Sequence, residues 1–128
     1  AALAPSWPVG AHGVALLQSW ATPECHDWLR QCRATLRGWK ARQIEALRGA
    51  GWRVEPSDAH FFLASRADMA SAGGQFDLKN VLTALRQHGI KLREATSFGL
   101  PGHLRMAVAP PATQDALMRT LHTLEAHA

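Results

Sequence analysis

The sequence predicts an α+β domain: a mostly antiparallel four-stranded sheet with helices packed on one face and one long helix near the N-terminus. Three observations lead there. Apolar residues recur at helical spacing from Cys25 to Leu47 (Cys25, Trp28, Leu29, Cys32, Leu36, Trp39, Ile44, Leu47). Four short alternating or apolar runs read as strands: 52–55, 60–64, 90–93 and 104–108. The order is helix, helix, strand, strand, helix, strand, strand, helix, without the strict alternation of a parallel α/β fold. With 128 residues, 47% of them hydrophobic, the chain is long enough to bury a single core.

Each element has its own signal. Residues 1–8 are extended, punctuated by Pro5 and Pro8. Residues 9–20 form a short helix with a small, apolar face, weakened by His12 and Gly13. Thr22-Pro23-Glu24 supplies a hydroxyl N-cap, a proline at the first helical position and an acid in the first turn. The helix that follows runs to Gly49, about 40 Å at the usual rise, and is expected to lie along one side of the domain. Pro56-Ser57-Asp58 turns the chain between the first two strands. A Gly- and Ser-containing loop occupies 66–76, and Asp77 caps a helix over 78–88 with Leu78, Val81, Leu82 and Leu85 inward. Gly89 stops it. Residues 95–102 form a loop. Pro110-Pro111 ends the last strand, and a helix over 113–126 closes the chain.

Composition narrows the classes. Charged residues make up 19%, which argues against wholesale disorder. No apolar run reaches the length of a membrane span. The first five residues lack a basic n-region and a full apolar h-region, so no signal peptide is read there. The chain begins without Met and is expected to be a processed chain, a tag-cleaved product or a piece of something longer. The formal charge of +4 favours solubility and anionic small molecules. Cys25 and Cys32 stand seven apart, about 10 Å on a helix, too far for a disulfide. They read as two buried thiols in a reduced compartment. A metal site on Cys25, His26 and Cys32 is disfavoured because adjacent side chains diverge and no second ligand pair follows.

Few residues are candidates for chemistry. Arg30, Arg33, Arg37, Lys40 and Arg48 fall mostly opposite the Trp and Leu stripe and read as a solvated helix face, with Trp28 and Trp39 on the buried side. His12, His60 and His103 are single histidines, and the seven histidines do not cluster at ligand spacing. The loop Ala95-Thr96-Ser97-Phe98-Gly99-Leu100-Pro101-Gly102-His103 is more informative. It leads into a strand on which Leu104, Met106 and Val108 share one face, and Arg105 and Ala107 the other. Arg105 is either a solvated residue of an edge strand or a fixed guanidinium aimed into a cleft. In the second case its planar fork matches a carboxylate, a pairing worth roughly 1.5–3 kcal/mol.

The segment from Arg93 to Val108, with its Phe98-Gly99-Leu100-Pro101-Gly102-His103-Leu104-Arg105 core, resembles the closing motif of fold-type I pyridoxal-phosphate (PLP) enzymes. Threonine-phosphate decarboxylases, linked to cobalamin synthesis, and histidinol-phosphate aminotransferases are the nearest subgroup. Ser6-Trp7-Pro8-Val9, Pro56-Ser57-Asp58-Ala59-His60-Phe61-Phe62-Leu63 and Leu85–Arg93 resemble other family segments in the right order, so the likeness spans nearly the whole chain. Two departures stand out: His60 replaces a common Asn, and Gly10-Ala11-His12 replaces the residues that often follow the Trp segment.

The resemblance implies an aminotransferase small domain at 23–128, preceded at 1–22 by an interdomain segment and short helix, with the large PLP-binding domain absent from this chain. It implies that Arg105 grips a substrate carboxylate, in an enzyme acting on an amino acid or a phosphorylated amino acid or amine. It implies a cytoplasmic, homodimeric full-length enzyme with PLP as cofactor, and no nucleic-acid or membrane partner. It leaves transamination and decarboxylation both open. Lys40, Lys79 and Lys91 lack the family's Ser-x-x-Lys setting, so this chain alone is expected to hold no PLP and to be inactive. The competing reading is a non-catalytic α+β module that binds a ligand or nucleic acid.

Overall fold

The computed structural model describes residues 9–67 and 78–126. The proposed extended segment 1–8, most of the loop 66–76 and the Asp77 cap lie outside the described residues. Four helices, α1 (Ala11–Trp20), α2 (Pro23–Gly49), α3 (Leu78–Gln87) and α4 (Pro111–Ala126), accompany four strands. These are β1 (Arg53–Val54), β2 (Phe61–Ser65), β3 (Arg93–Glu94) and β4 (His103–Ala107). The sheet is antiparallel throughout, in the order β1-β2-β4-β3. The fold is the predicted α+β class.

The chain divides into two compact units, one ending at Thr35 and the other beginning at Leu36. In the first, Thr22 caps α2: the Cys25 amide donates to Thr22 Oγ1 at 3.3 Å. None of the residues of α1 is buried. Trp28 is 60% exposed, not inward as the apolar stripe implies. Helical periodicity says which residues share a face, not what covers that face. Cys25 and Cys32 are free and half-buried, not fully buried thiols.

In the second unit, pleating sends Phe62, Ala64, Leu104 and Met106 to one face of the sheet. They join Leu47, Trp52, Val54, Leu78, Val81, Leu85, Leu117 and Leu121 in one core. The opposite face carries Phe61, Leu63, His103, Arg105 and Ala107, none of them buried.

Several boundaries move for physical reasons. The third strand occupies Arg93–Glu94 rather than 90–93. The Ile90 amide instead donates to Leu85 O at 2.9 Å, closing the end of α3 with Gly89 at φ 76°. Helix α4 begins at Pro111, where proline's fixed φ suits a first turn, rather than at 113. Lys40 is not part of a solvated face. Its ammonium donates to Ala59 O at 2.9 Å and to Ser57 O, tying α2 to the β1–β2 turn.

Leu47 is fully buried where α2 meets the core. Leu47→Ala is expected to cost about 2–5 kcal/mol, read as a lowered urea midpoint at unchanged slope.

Candidate functional site

Arg105 sits in the middle of β4, on the open face, directly opposite Leu63 of β2 and Arg93 of β3. Residues paired in this way point to the same side of a sheet. The two side chains therefore leave the sheet on the same face, and like charges at paired positions are unfavourable unless something offsets them. Each is stacked on an aromatic ring. The Arg105 Cζ lies 3.9 Å from the centroid of Phe61, and the Arg93 Cζ 4.9 Å from that of Phe98. Such contacts are worth about 0.5–2 kcal/mol each. They also hold the guanidinium planes in place. Among the described residues neither arginine has a carboxylate partner within ion-pair distance.

A cavity of about 580 Å³ opens beside this pair. Arg105, Arg93, Phe61 and Ala107 line its sheet side; Arg86 of α3 and Lys91 add two more cations. Glu94 also lines it, but lies opposite Leu104 and so alternates away from Arg105. Its carboxylate accepts a hydrogen bond from Thr96 Oγ1 at 2.5 Å. A cavity rimmed by four cations and one engaged carboxylate suits an anion.

The loop before β4 explains how Phe98 reaches Arg93. Thr96–Phe98 form a single 3-10 turn, ended by Gly99 at φ 74°. Gly102 has φ 75°. The loop closes on itself: the Ala95 amide donates to His103 O at 2.9 Å, and the Gly99 amide to Thr96 O at 2.9 Å. The two glycines supply the left-handed backbone that a side chain disfavours. His103 is held locally, with Nδ1 3.1 Å from Pro101 O. His60 packs edge-on against Phe61 at 5.3 Å.

Sequence reasoning singled out Arg105 and missed its neighbours. Arg93 was legible only as part of a motif, because its partner across the sheet depends on the register. Phe61 and Phe98 needed the fold to bring them under the guanidinium groups.

The model of "Aminotransferase class I and II" matches residues 2–124. The chain belongs to that family. Histidinol-phosphate aminotransferase of Jannaschia sp. is 30% identical over 119 residues, 93% of this chain and 31% of that protein. The chain thus spans about a third of the length of the curated relatives it matches. A decarboxylase from Sulfurospirillum multivorans superposes with a TM-score of 0.77 at 20% identity, over 92% of this chain and 33% of its own. L-threonine-O-3-phosphate decarboxylase from Porphyromonas gingivalis gives 0.52 at 21%, over 68% and 27%. At those identities the two decarboxylases show the shared fold.

The family implies PLP, and the described residues of this chain do not furnish its cradle. Lys40 is engaged by two backbone carbonyls. Lys79 is exposed on α3, and Lys91 lies on the cavity rim.

No heavy atom lies within 4 Å of a Cβ built on Gly99, so its role is conformational rather than steric. Gly99→Ala should cost about 1–2 kcal/mol in urea denaturation and Gly99→Asn clearly less, since Asn tolerates left-handed backbone.

Proposed function

We propose that this chain is the small domain of a PLP-dependent aminotransferase or decarboxylase, and that Arg105 clamps the carboxylate of its substrate. The observation that carries the reading is the Arg105 guanidinium: on the open sheet face, stacked on Phe61, beside Arg93 and without a carboxylate partner among the described residues. A charged group held so rigidly and left unneutralised is arranged for a ligand that brings the opposite charge.

The substrate in this reading is an amino acid, or a phosphorylated amino acid or amine such as the relatives' names indicate. Arg105 binds and orients it, and Arg93, which lines the same cavity, adds a second positive charge. Arg86 and Lys91 raise the potential of the cavity and draw anions in. PLP, when bound, supplies the electron sink for chemistry at the substrate's Cα. In this reading the family's large domain would hold it, and this chain would contribute the substrate grip. The full-length enzyme is proposed to be a homodimer of the cytoplasm. The nucleic-acid reading loses ground because the exposed face of Phe61 is covered by Arg105 rather than offered to a base.

The test is steady-state kinetics of the full-length protein on a panel of amino donors that includes L-threonine O-3-phosphate and L-histidinol phosphate. For a donor bearing a carboxylate, Arg105→Ala is expected to raise KM about 10- to 100-fold, in line with loss of a charge-assisted bidentate pair. An unchanged KM removes the assignment. Loss of kcat alone would place Arg105 in another role.

A further inference from the structure

We propose that Gln43 and Gln114 are positioning residues for this anion clamp: two buried side-chain amides that pin the exit of β4 to α2 and so set where Arg105 points. The inference rests on the reading of Arg105 as the substrate grip.

The end of β4 is poorly held by the sheet itself. β3 pairs only with Leu104 and Arg105. Beyond them, Met106 and Ala107 have β2 on one side alone. The last ladder-like bond is from the Val108 amide to His60 O at 2.9 Å. Pro110 and Pro111 then offer no N–H at all.

Two glutamines take over where the ladder stops. Gln43 Nε2 donates to Ala107 O at 3.2 Å, and Gln43 Oε1 accepts from the Ala109 amide at 3.1 Å. One side-chain amide thus brackets three residues of backbone, as a neighbouring strand would. Gln114 Nε2 donates to Ala109 O at 2.7 Å and to Trp39 O at 2.9 Å. Its Oε1 accepts from Arg42 Nη1 at 2.8 Å, while Arg42 Nη2 donates to Asp115 at 2.6 Å. Both peptide groups of Ala109 are therefore held by side chains from two different helices.

The glutamines are 3% and 1% exposed, so water does not replace these bonds if they are lost. A Leu or Met would fill the same space, but apolar contact is non-directional and permits sliding. Paired amide bonds fix a register between helix and strand. Ala107, which Gln43 grips, lines the cavity and lies two residues beyond Arg105 on the same face. Displacement of Ala107 tilts the strand that carries the guanidinium.

The experiment uses the full-length protein and the amino donor it turns over best. Gln43→Met keeps the volume and removes both bonds. It is expected to raise KM roughly tenfold with kcat changed far less, the mark of a lost binding geometry. Gln43→Glu adds a readout that a merely structural role would not move. Protonated, the carboxyl donates to Ala107 O and accepts from the Ala109 amide; ionised, it cannot donate. KM of Gln43→Glu should therefore sit near the parent value at the acid end of the profile and climb as pH rises, while that of the parent does not. An unchanged KM in Gln43→Met, alongside a raised KM in Arg105→Ala, overturns the positioning role and leaves the clamp intact. If Arg105→Ala itself leaves KM unchanged, the clamp reading fails and this proposal falls with it. Should Gln43→Met not fold, a pH profile of Gln43→Glu parallel to the parent overturns the proposal.

Discussion

The antiparallel ladder between β2 and β4 is the constraint from which the rest follows. Its register sets Phe62 against Met106, Ala64 against Leu104, and Leu63 against Arg105. Side chains in a strand alternate with a period of two, so slippage of one residue would reverse both faces. Phe62, Leu104 and Met106 would lose their burial, and a guanidinium would be driven into the apolar core at a cost no fold of this size tolerates. The same alternation that builds the core therefore places Arg105 on the open face. Core formation and placement of the cation are one event, and the loop with Gly99 and Gly102 only has to bring Phe98 over Arg93.

That open face is electrostatically unfinished. Arg93 and Arg105 occupy paired positions on adjacent strands, and Arg86 and Lys91 line the same cavity. Among the described residues several cations elsewhere are paired: Arg30 with Asp27, Arg42 with Asp115, Arg53 with Glu55, Arg66 with Glu125. Stacking on Phe98 and Phe61 offsets part of the cost of these charges without neutralising either. A carboxylate would do so, which is the role proposed here for the substrate.

Much of this was legible in the sequence. Alternation at Leu104-Arg105-Met106 gave the inward and outward faces correctly, and the Thr22-Pro23-Glu24 signal placed the start of α2. The misreadings share a cause. Trp28 was assigned inward because periodicity detects a stripe but not its cover. Lys40 was assigned to solvent because its acceptors, Ser57 O and Ala59 O, are backbone atoms that no side-chain pattern reveals. Gln43 and Gln114 drew no notice because a buried amide with all its partners looks, in sequence, like any surface glutamine. Arg93 entered the site only through register, since β3 forms three residues later than alternation suggested.

The most direct test of the central claim is a crystal structure of the full-length protein with an unreactive amino-acid analogue bound. The expected result is the analogue's carboxylate on the Arg105 fork, both oxygens within about 3 Å of guanidinium nitrogens, with Phe61 still beneath. A carboxylate bound elsewhere, with Arg105 facing solvent, would contradict it.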